Sequence, residues 1–344
     1  MCPLSQIYVH PQVTPRINHT DRDELLSFVA EKYFLDDLRQ SDIAEQIGVT
    51  RSAVSRMLSE AREKGIVEII VHYPFHYNSD LENELQNLLD LKHVSVLDIN
   101  NQPDYGTLRE KLGKAASRLL GELVKPGDQI GVAWGTTVQA TIEALETTKI
   151  PDTKVVQLVG VLGSTRHSYS AQTLVERLAE KIGGEGVYLY SPFIVESERT
   201  ATSLLDDPAV EESISQGEQS DIALVGIGTT KPEFCSLFQG NHISKRELDA
   251  IRSSGAVGDV CAIFYDVSGE LAKTDFHQRR IGVSPLGLKK IPYRLGVGGS
   301  PEKAEAIFGA VCGGYINALV TDSVTAELIL DLARTHCPDK KAKE

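Results

Sequence analysis

Apolar residues along the chain fall into two regimes. Up to about residue 64 they recur at helical spacing: Leu25, Leu26, Val29, Tyr33 and Phe34, then Ile43, Ala44 and Ile47, then Val54, Met57, Leu58 and Ala61. That period predicts three helices, over 21–34, 40–47 and 51 to about 64. Gly48 is placed to stop the second helix as a left-handed cap, Thr50 to N-cap the third, and Gly65 to end it. IVEIIVHY (66–73) is rich in β-branched residues and reads as a strand. Leu81, Leu85, Leu88, Leu89 and Leu91 suit a linker helix with an apolar stripe, packed on a domain or paired with another subunit.

From Val94 onward, short apolar runs alternate with helical stretches. The runs are VSVLDI, QIGVAW, KVVQLVG, GVYLYS, IALVGIG, VCAIFYD, YRLGVGG and NALVTD; the helices fall around 107–123, 137–146, 171–182, 302–312 and 323–334. This alternation predicts an α/β fold with a doubly wound, largely parallel sheet. The expected organisation is a flexible arm over 1–20, which is polar and carries three prolines, and a small helical domain closed by a strand over 21–74. A linker helix over 75–92, an α/β domain over 93–336 and a tail over 337–344 complete it.

Composition narrows the function classes. A chain of 344 residues exceeds the usual size of one domain. No apolar run approaches the ~18 residues of a membrane span, and the N-terminus lacks the basic and apolar regions of a signal peptide, so a cytoplasmic location is expected with no membrane partner. The 5 cysteines are scattered without CxxC spacing, and the histidines lack metal-like spacing. Neither a structural metal, a disulfide framework nor a cofactor is expected; Cys261 and Cys312 read as core thiols. The net charge of −13 argues against coating nucleic acid by bulk charge. It leaves room for a small basic reading surface on an acidic body.

QSDIAEQIGVTRSAVSRMLSEAREKGIVEIIV has the layout of a winged helix-turn-helix. Small Ala44 lets helices cross closely, Gly48 and Val49 make the tight turn, and the strand after Gly65 supplies the wing. The outward face of the third helix carries Arg51, Ser52, Ser55 and Arg56, residue types that reach phosphates and base edges of double-stranded DNA. The alternative is an ordinary three-helix packing unit with a solvated polar face.

Four junctions in the α/β part suit an anionic, hydroxyl-rich ligand. In GVAWGTTV, Gly135, Thr136 and Thr137 stand where a helix begins, and free N–H groups there favour a phosphate. A simple strand-to-helix turn fits those residues equally. In GVGGSPEK, two glycines allow close backbone approach, and Lys303 is in reach of an anion. Gly160 and Gly163 in VVQLVGVLGS keep a crevice open, and Asp259 follows a glycine-rich turn, where it accepts sugar hydroxyls or caps the turn.

These segments together resemble the SorC family of sugar-responsive bacterial regulators, from about residue 25 to 332. The residues that carry the resemblance are QSDIAEQIGVTRSAVSRML, AREKGIV, GVAWGTTV, LVGIGTT, SSGAVGDVCAIFYDVSGE and GVGGSPEKAEAIFGAVCGGYINALVTDSVTA. The resemblance implies an effector domain similar in fold to ribose-5-phosphate isomerase and glucosamine-6-phosphate deaminase, used for sensing. It also implies a phosphorylated sugar or related metabolite as effector, and self-association into dimers or tetramers. Gly135, Thr136 and Thr137 match the family's phosphate loop, and Asp259 and Lys303 match residues that contact the effector. Two rivals are a sugar-phosphate isomerase-like enzyme with an appended DNA-binding domain, using Asp259 as base and Lys303 as electrophile, and an architectural DNA-binding protein that needs no effector.

Overall fold

The computed structural model describes residues 7–8, 20–69, 76–99, 103–163 and 168–336. The chain divides into two compact units, Met1–Pro74 and Phe75–Glu344.

The smaller unit holds helices α1 (Thr20–Phe34), α2 (Gln40–Ile47) and α3 (Arg51–Glu63) around one core that includes Leu26, Val29, Ile43, Val54 and Leu58. Gly48 closes α2 with φ +69°, a left-handed conformation that costs any residue with a Cβ. Thr50 opens α3, its hydroxyl accepting the Ala53 N–H at 3.3 Å. Both caps stand where the turn chemistry puts them. The strand expected over 66–73 is described as β2 (Glu68–Ile69), and 70–73 lie outside the described residues. β2 pairs antiparallel with β1 (Ile7–Tyr8), which falls in the stretch read as an arm. Most of that arm, and the tail over 337–344, also lie outside the described residues.

The larger unit is built on seven parallel strands: β3 (His93–Leu97), β4 (Gln129–Val132), β5 (Lys154–Gln157), β6 (Glu185–Val187), β7 (Ile222–Gly226), β11 (Tyr293–Val297) and β12 (Ala318–Asp322). Their order is β3-β12-β11-β7-β4-β5-β6, with Val132 beside Leu224 and Val297 beside Gly226 in register. A separate antiparallel sheet has the order β10-β9-β8, from β8 (Gly228–Thr229), β9 (Gly258–Val260) and β10 (Ile263–Tyr265).

Successive residues of a strand point to opposite faces, so a sheet buried on both sides needs continuous apolar runs. Ile222 and Leu224 of β7 enter one core with α5 (Tyr105–Leu123), α6 (Thr136–Ala144) and α7 (Ala171–Ile182). Ala223 and Val225 enter the other, with α13 (Ala304–Cys312) and α14 (Ser323–His336). The doubly wound expectation thus appears as two cores on one sheet.

Two expectations change. VCAIFYD joins no parallel strand; its residues turn back through Cys261 and Ala262, both at positive φ, to form the β9–β10 hairpin. The helix read as a linker is α4 (Ser79–Leu89), and of its two expected arrangements the structure has the one packed on a domain, with Leu85 and Leu89 buried in the larger unit's own core. Cys312 is exposed, because the last turn of α13 reaches the surface, while Cys261 is buried as expected. The strand–helix alternation also leaves unmarked α8 (Glu198–Leu205), α9 (Pro208–Glu218), α10 (Ser236–Gln239), α11 (Lys245–Ser253) and α12 (Pro285–Lys290).

Candidate functional site

Strand order reverses between β4 and β7. From β4 the chain goes outward to β5 on one side; from β7 it goes on to β11 on the other. Loops at the carboxyl ends of such strands part and leave a crevice, the usual ligand position in open α/β sheets. The residues singled out at strand-to-helix junctions lie on these loops.

Gly135 N-caps α6 at φ 145°, so the cap position carries no oxygen to accept the first helical N–H groups. In the larger unit Asn78, Asp104, Ser170, Ser197, Asp207, Ser244 and Ser284 supply that acceptor, whereas α10 and α13 also begin without a side-chain cap. Unmet donors at a helix start, with the positive end of the helix dipole, attract an anion. The Gly135 N–H itself is already given to the Tyr169 carbonyl at 3.0 Å. Thr136 is half-buried, whereas Thr137 is buried and donates its hydroxyl to the Val297 carbonyl of β11 at 3.2 Å. Thr137 therefore fixes α6 against the end of β11, and the exposed face of the turn belongs to Thr136.

β11 leads through Gly298, Gly299 and Ser300 to Lys303. Lys303 is buried, and its ammonium stands 5.5 Å from the centre of the Tyr105 ring at the start of α5. Ser300 has φ 94°, unusual for a residue with a Cβ. Its N–H is held by Asp322 Oδ2 at 3.0 Å and Thr325 Oγ1 at 2.9 Å, while its own buried hydroxyl has no partner. Backbone strain that is clamped in this way, beside an idle donor, is characteristic of binding sites.

Asp259 lies on β9, packed over Gly228 so closely that a Cβ there would run into its carboxylate. Asp259 Oδ2 accepts the Ala262 N–H at 3.0 Å across the hairpin turn. Burial pushes the carboxyl up to about 6, although the Ala262 N–H and the charges of Lys303 and Arg280 draw it down. A carboxyl so placed can accept a sugar hydroxyl or donate to one near neutral pH.

Gly160 contributes differently from the sequence expectation. Its N–H is given to the Ile281 carbonyl at 3.1 Å, and its Cα lies against the Pro192 backbone. It brings the 192–193 and 280–283 segments up to the end of β5. Gly228, Ser300, Asp322, Tyr105 and Arg280 were not singled out from sequence. For Gly228 the signal was available in LVGIGTT; for the others it lay in burial and pairing, which only the fold supplies.

In the smaller unit Arg51, Ser52, Ser55 and Arg56 are all exposed, opposite buried Val54, Met57 and Leu58. Arg22 pairs with Glu60 at 2.6 Å, and Lys64 with Asp23 at 2.6 Å. Arg51 and Arg56 form no such pair among the described residues; Arg56 makes only a 3.4 Å bond to the Ser52 carbonyl. The two arginines at the start of α3 thus lack ion pairs among the described residues, whereas Lys64 at its end is paired and Arg62 lies over the Phe34 ring at 5.5 Å.

Among the described residues no group of three or more histidine, cysteine or acidic side chains is placed to hold a metal, and no helix is long and apolar enough to cross a membrane.

Comparison with known proteins follows this division. Residues 73–331 match the family described as a sugar-binding domain, and 20–73 match the Crp-like helix-turn-helix domain. The chain is similar to the deoxyribonucleoside regulator of Bacillus subtilis, 31% identical over 312 residues, covering 90% of this chain and 98% of that one. It is also similar to the sorbitol operon regulator of Klebsiella pneumoniae, 29% identical over 91% of this chain and 100% of the other. The crystal structure of that full-length regulator covers 90% of this chain and 100% of its own, with a TM-score of 0.67.

Proposed function

The chain belongs to the SorC family of sugar-binding transcriptional regulators, and from that premise we propose that it controls a carbohydrate catabolic operon in response to a phosphorylated sugar. In this reading the phosphate sits on the free N–H groups of α6, facing Thr136. Lys303 supplies a counter-charge and Asp259 takes a sugar hydroxyl. Gly135, Thr137 and Gly160 shape the site rather than touch the ligand through side chains. Arg51, Ser52, Ser55 and Arg56 face operator DNA from a winged helix-turn-helix. The protein acts in the cytoplasm as a dimer or tetramer, since paired readers match paired half-sites.

The observation that carries the effector reading is the uncapped start of α6 at the reversal of strand order, in the same crevice mouth as buried Lys303 and Asp259. The effector must bind one DNA-affinity state better than the other, since equal affinity shifts nothing. The likeness of the effector fold to sugar-phosphate isomerases belongs to this proposal, with sensing in place of turnover. A thermal-shift panel of pentose and hexose phosphates, run beside a turnover assay, tests it. The expected result is a raised midpoint for at least one sugar phosphate with no product formed. Turnover identifies the isomerase-like enzyme instead; no shift from any compound identifies an effector-independent DNA binder.

A further inference from the structure

Arg280 enters the larger unit on a segment that runs antiparallel to the end of β5, with Gly282 bridging Val159 and Arg280 bridging Ile194. Its side chain is 6% exposed, and Nη2 donates to the Val283 carbonyl at 2.9 Å. Nε is buried without a partner. The charge of Arg280 is felt by Asp259, by Cys261 at the hairpin turn and by His277. Lys303 is likewise buried. No salt bridge joins Arg280, Lys303 or Asp259 among the described residues.

Two buried cations therefore face the Asp259 carboxyl, and the Glu218 carboxylate also acts on Arg280, yet neither carboxylate forms an ion pair with the guanidinium among the described residues. Burying an unpaired charge costs several kcal/mol on the order-of-magnitude scale for protein interiors. Arg294 Nε also lacks a partner, but only Arg280 combines that idle donor with a position whose charge acts on Asp259, so its Nε–H is the one beside the candidate site. We propose that Arg280 is a further effector-contacting residue: its idle Nε–H donates to an anionic oxygen of the ligand, making with Lys303 a two-cation clamp. The ligand class is a compound whose phosphate or carboxylate oxygens reach the inner wall of the crevice as well as its mouth. This inference rests on the sugar-phosphate reading above and deepens it.

The test uses the full-length protein as wild type, R280Q, R280K and K303Q, with inorganic phosphate and glucose 6-phosphate as probes in thermal shift and calorimetric titration. The expected result is that R280Q without probe melts at or above wild type, because a buried unpaired charge has gone. Its affinity for phosphate falls at least tenfold, and R280K keeps part of the loss from occurring. If K303Q loses the probes but R280Q binds them like wild type, Arg280 is not in the site and the sugar-phosphate reading stands. If R280Q melts well below wild type with unchanged affinity, Arg280 is a packing residue and the inference fails. If phosphate and glucose 6-phosphate leave the wild-type midpoint unmoved, or neither substitution alters binding, the two-cation clamp fails; the broader reading then falls only if the whole sugar-phosphate panel is also silent.

Discussion

Asp259 and His277 pull the pH dependence of the larger unit in opposite directions. Asp259 is raised from 3.8 to about 6, so the folded state holds its proton more tightly than the unfolded chain. Its contribution is fully present below about pH 4 and is lost as pH rises through about 6. His277 is lowered from 6.5 to about 4 by burial and by Arg280, and its Nε2 accepts the Phe264 N–H at 2.9 Å. That contribution is present above pH 6.5 and is lost as pH falls through about 4. The charged or ionisable groups facing Asp259 are Lys303, Arg280, Cys261, Cys235 and Tyr265. D259N keeps an acceptor for Ala262 and removes the buried charge. At about 1.4 kcal/mol per pH unit it is expected to stabilise the protein by up to about 3 kcal/mol above pH 6.5, with the gain gone near pH 4. Denaturant melts at the two pH values check this; a stability loss at pH 7.5 contradicts it. G228A is expected to push the carboxylate out of place and to weaken sugar-phosphate binding more than tenfold, read by titration. R56A is expected to weaken operator binding at fixed salt, flatten the salt dependence by about one charge, and leave sugar-phosphate binding unchanged. A mobility-shift series at several salt concentrations reads all but the last.

At the scale of elements, α4 belongs with the α/β core. Leu85 is fully buried, and Glu84 pairs with Arg334 of α14 at 2.6 Å. L85A is therefore expected to cost about 2–5 kcal/mol, as for other buried leucines, in denaturant unfolding of the full chain. A cost near zero would contradict the packing of α4 on the larger unit. Leu81, Leu85 and Leu88 repeat at a spacing shared by linkers and packed helices, so the stripe alone does not separate the two. The inner parallel strands were legible because β7 and β12 are buried on both faces and read as continuous runs, while the edge strands β3 and β6 are only partly buried. The β9–β10 hairpin was not, since Cys261–Ala262 offers none of the Asn-Gly chemistry that marks a two-residue turn; Asp259 holds the turn instead. The start of α9 carried a readable signal in Asp207 before Pro208, but no apolar alternation drew attention to it. Of the candidate site, glycines and charged residues at strand ends were visible in sequence. The tertiary partners were not: Ser300 held by Asp322, Lys303 under Tyr105, Arg280 beside Asp259.

At the scale of the whole molecule, a helix-turn-helix domain and a sugar-binding domain share one chain of net charge −13. Bulk charge repels DNA, so in the proposed function specific binding would depend on the basic residues without ion pairs at the start of α3. A modest effector preference is then consequential, since tenfold corresponds to about 1.4 kcal/mol. The most direct measurement is a mobility shift of operator DNA at fixed salt, with and without the sugar phosphate that raises the melting midpoint, for wild type and K303Q. The account predicts that the ligand changes wild-type operator affinity by tenfold or more and leaves K303Q unmoved. Equal wild-type affinity with and without a ligand that demonstrably binds would contradict it.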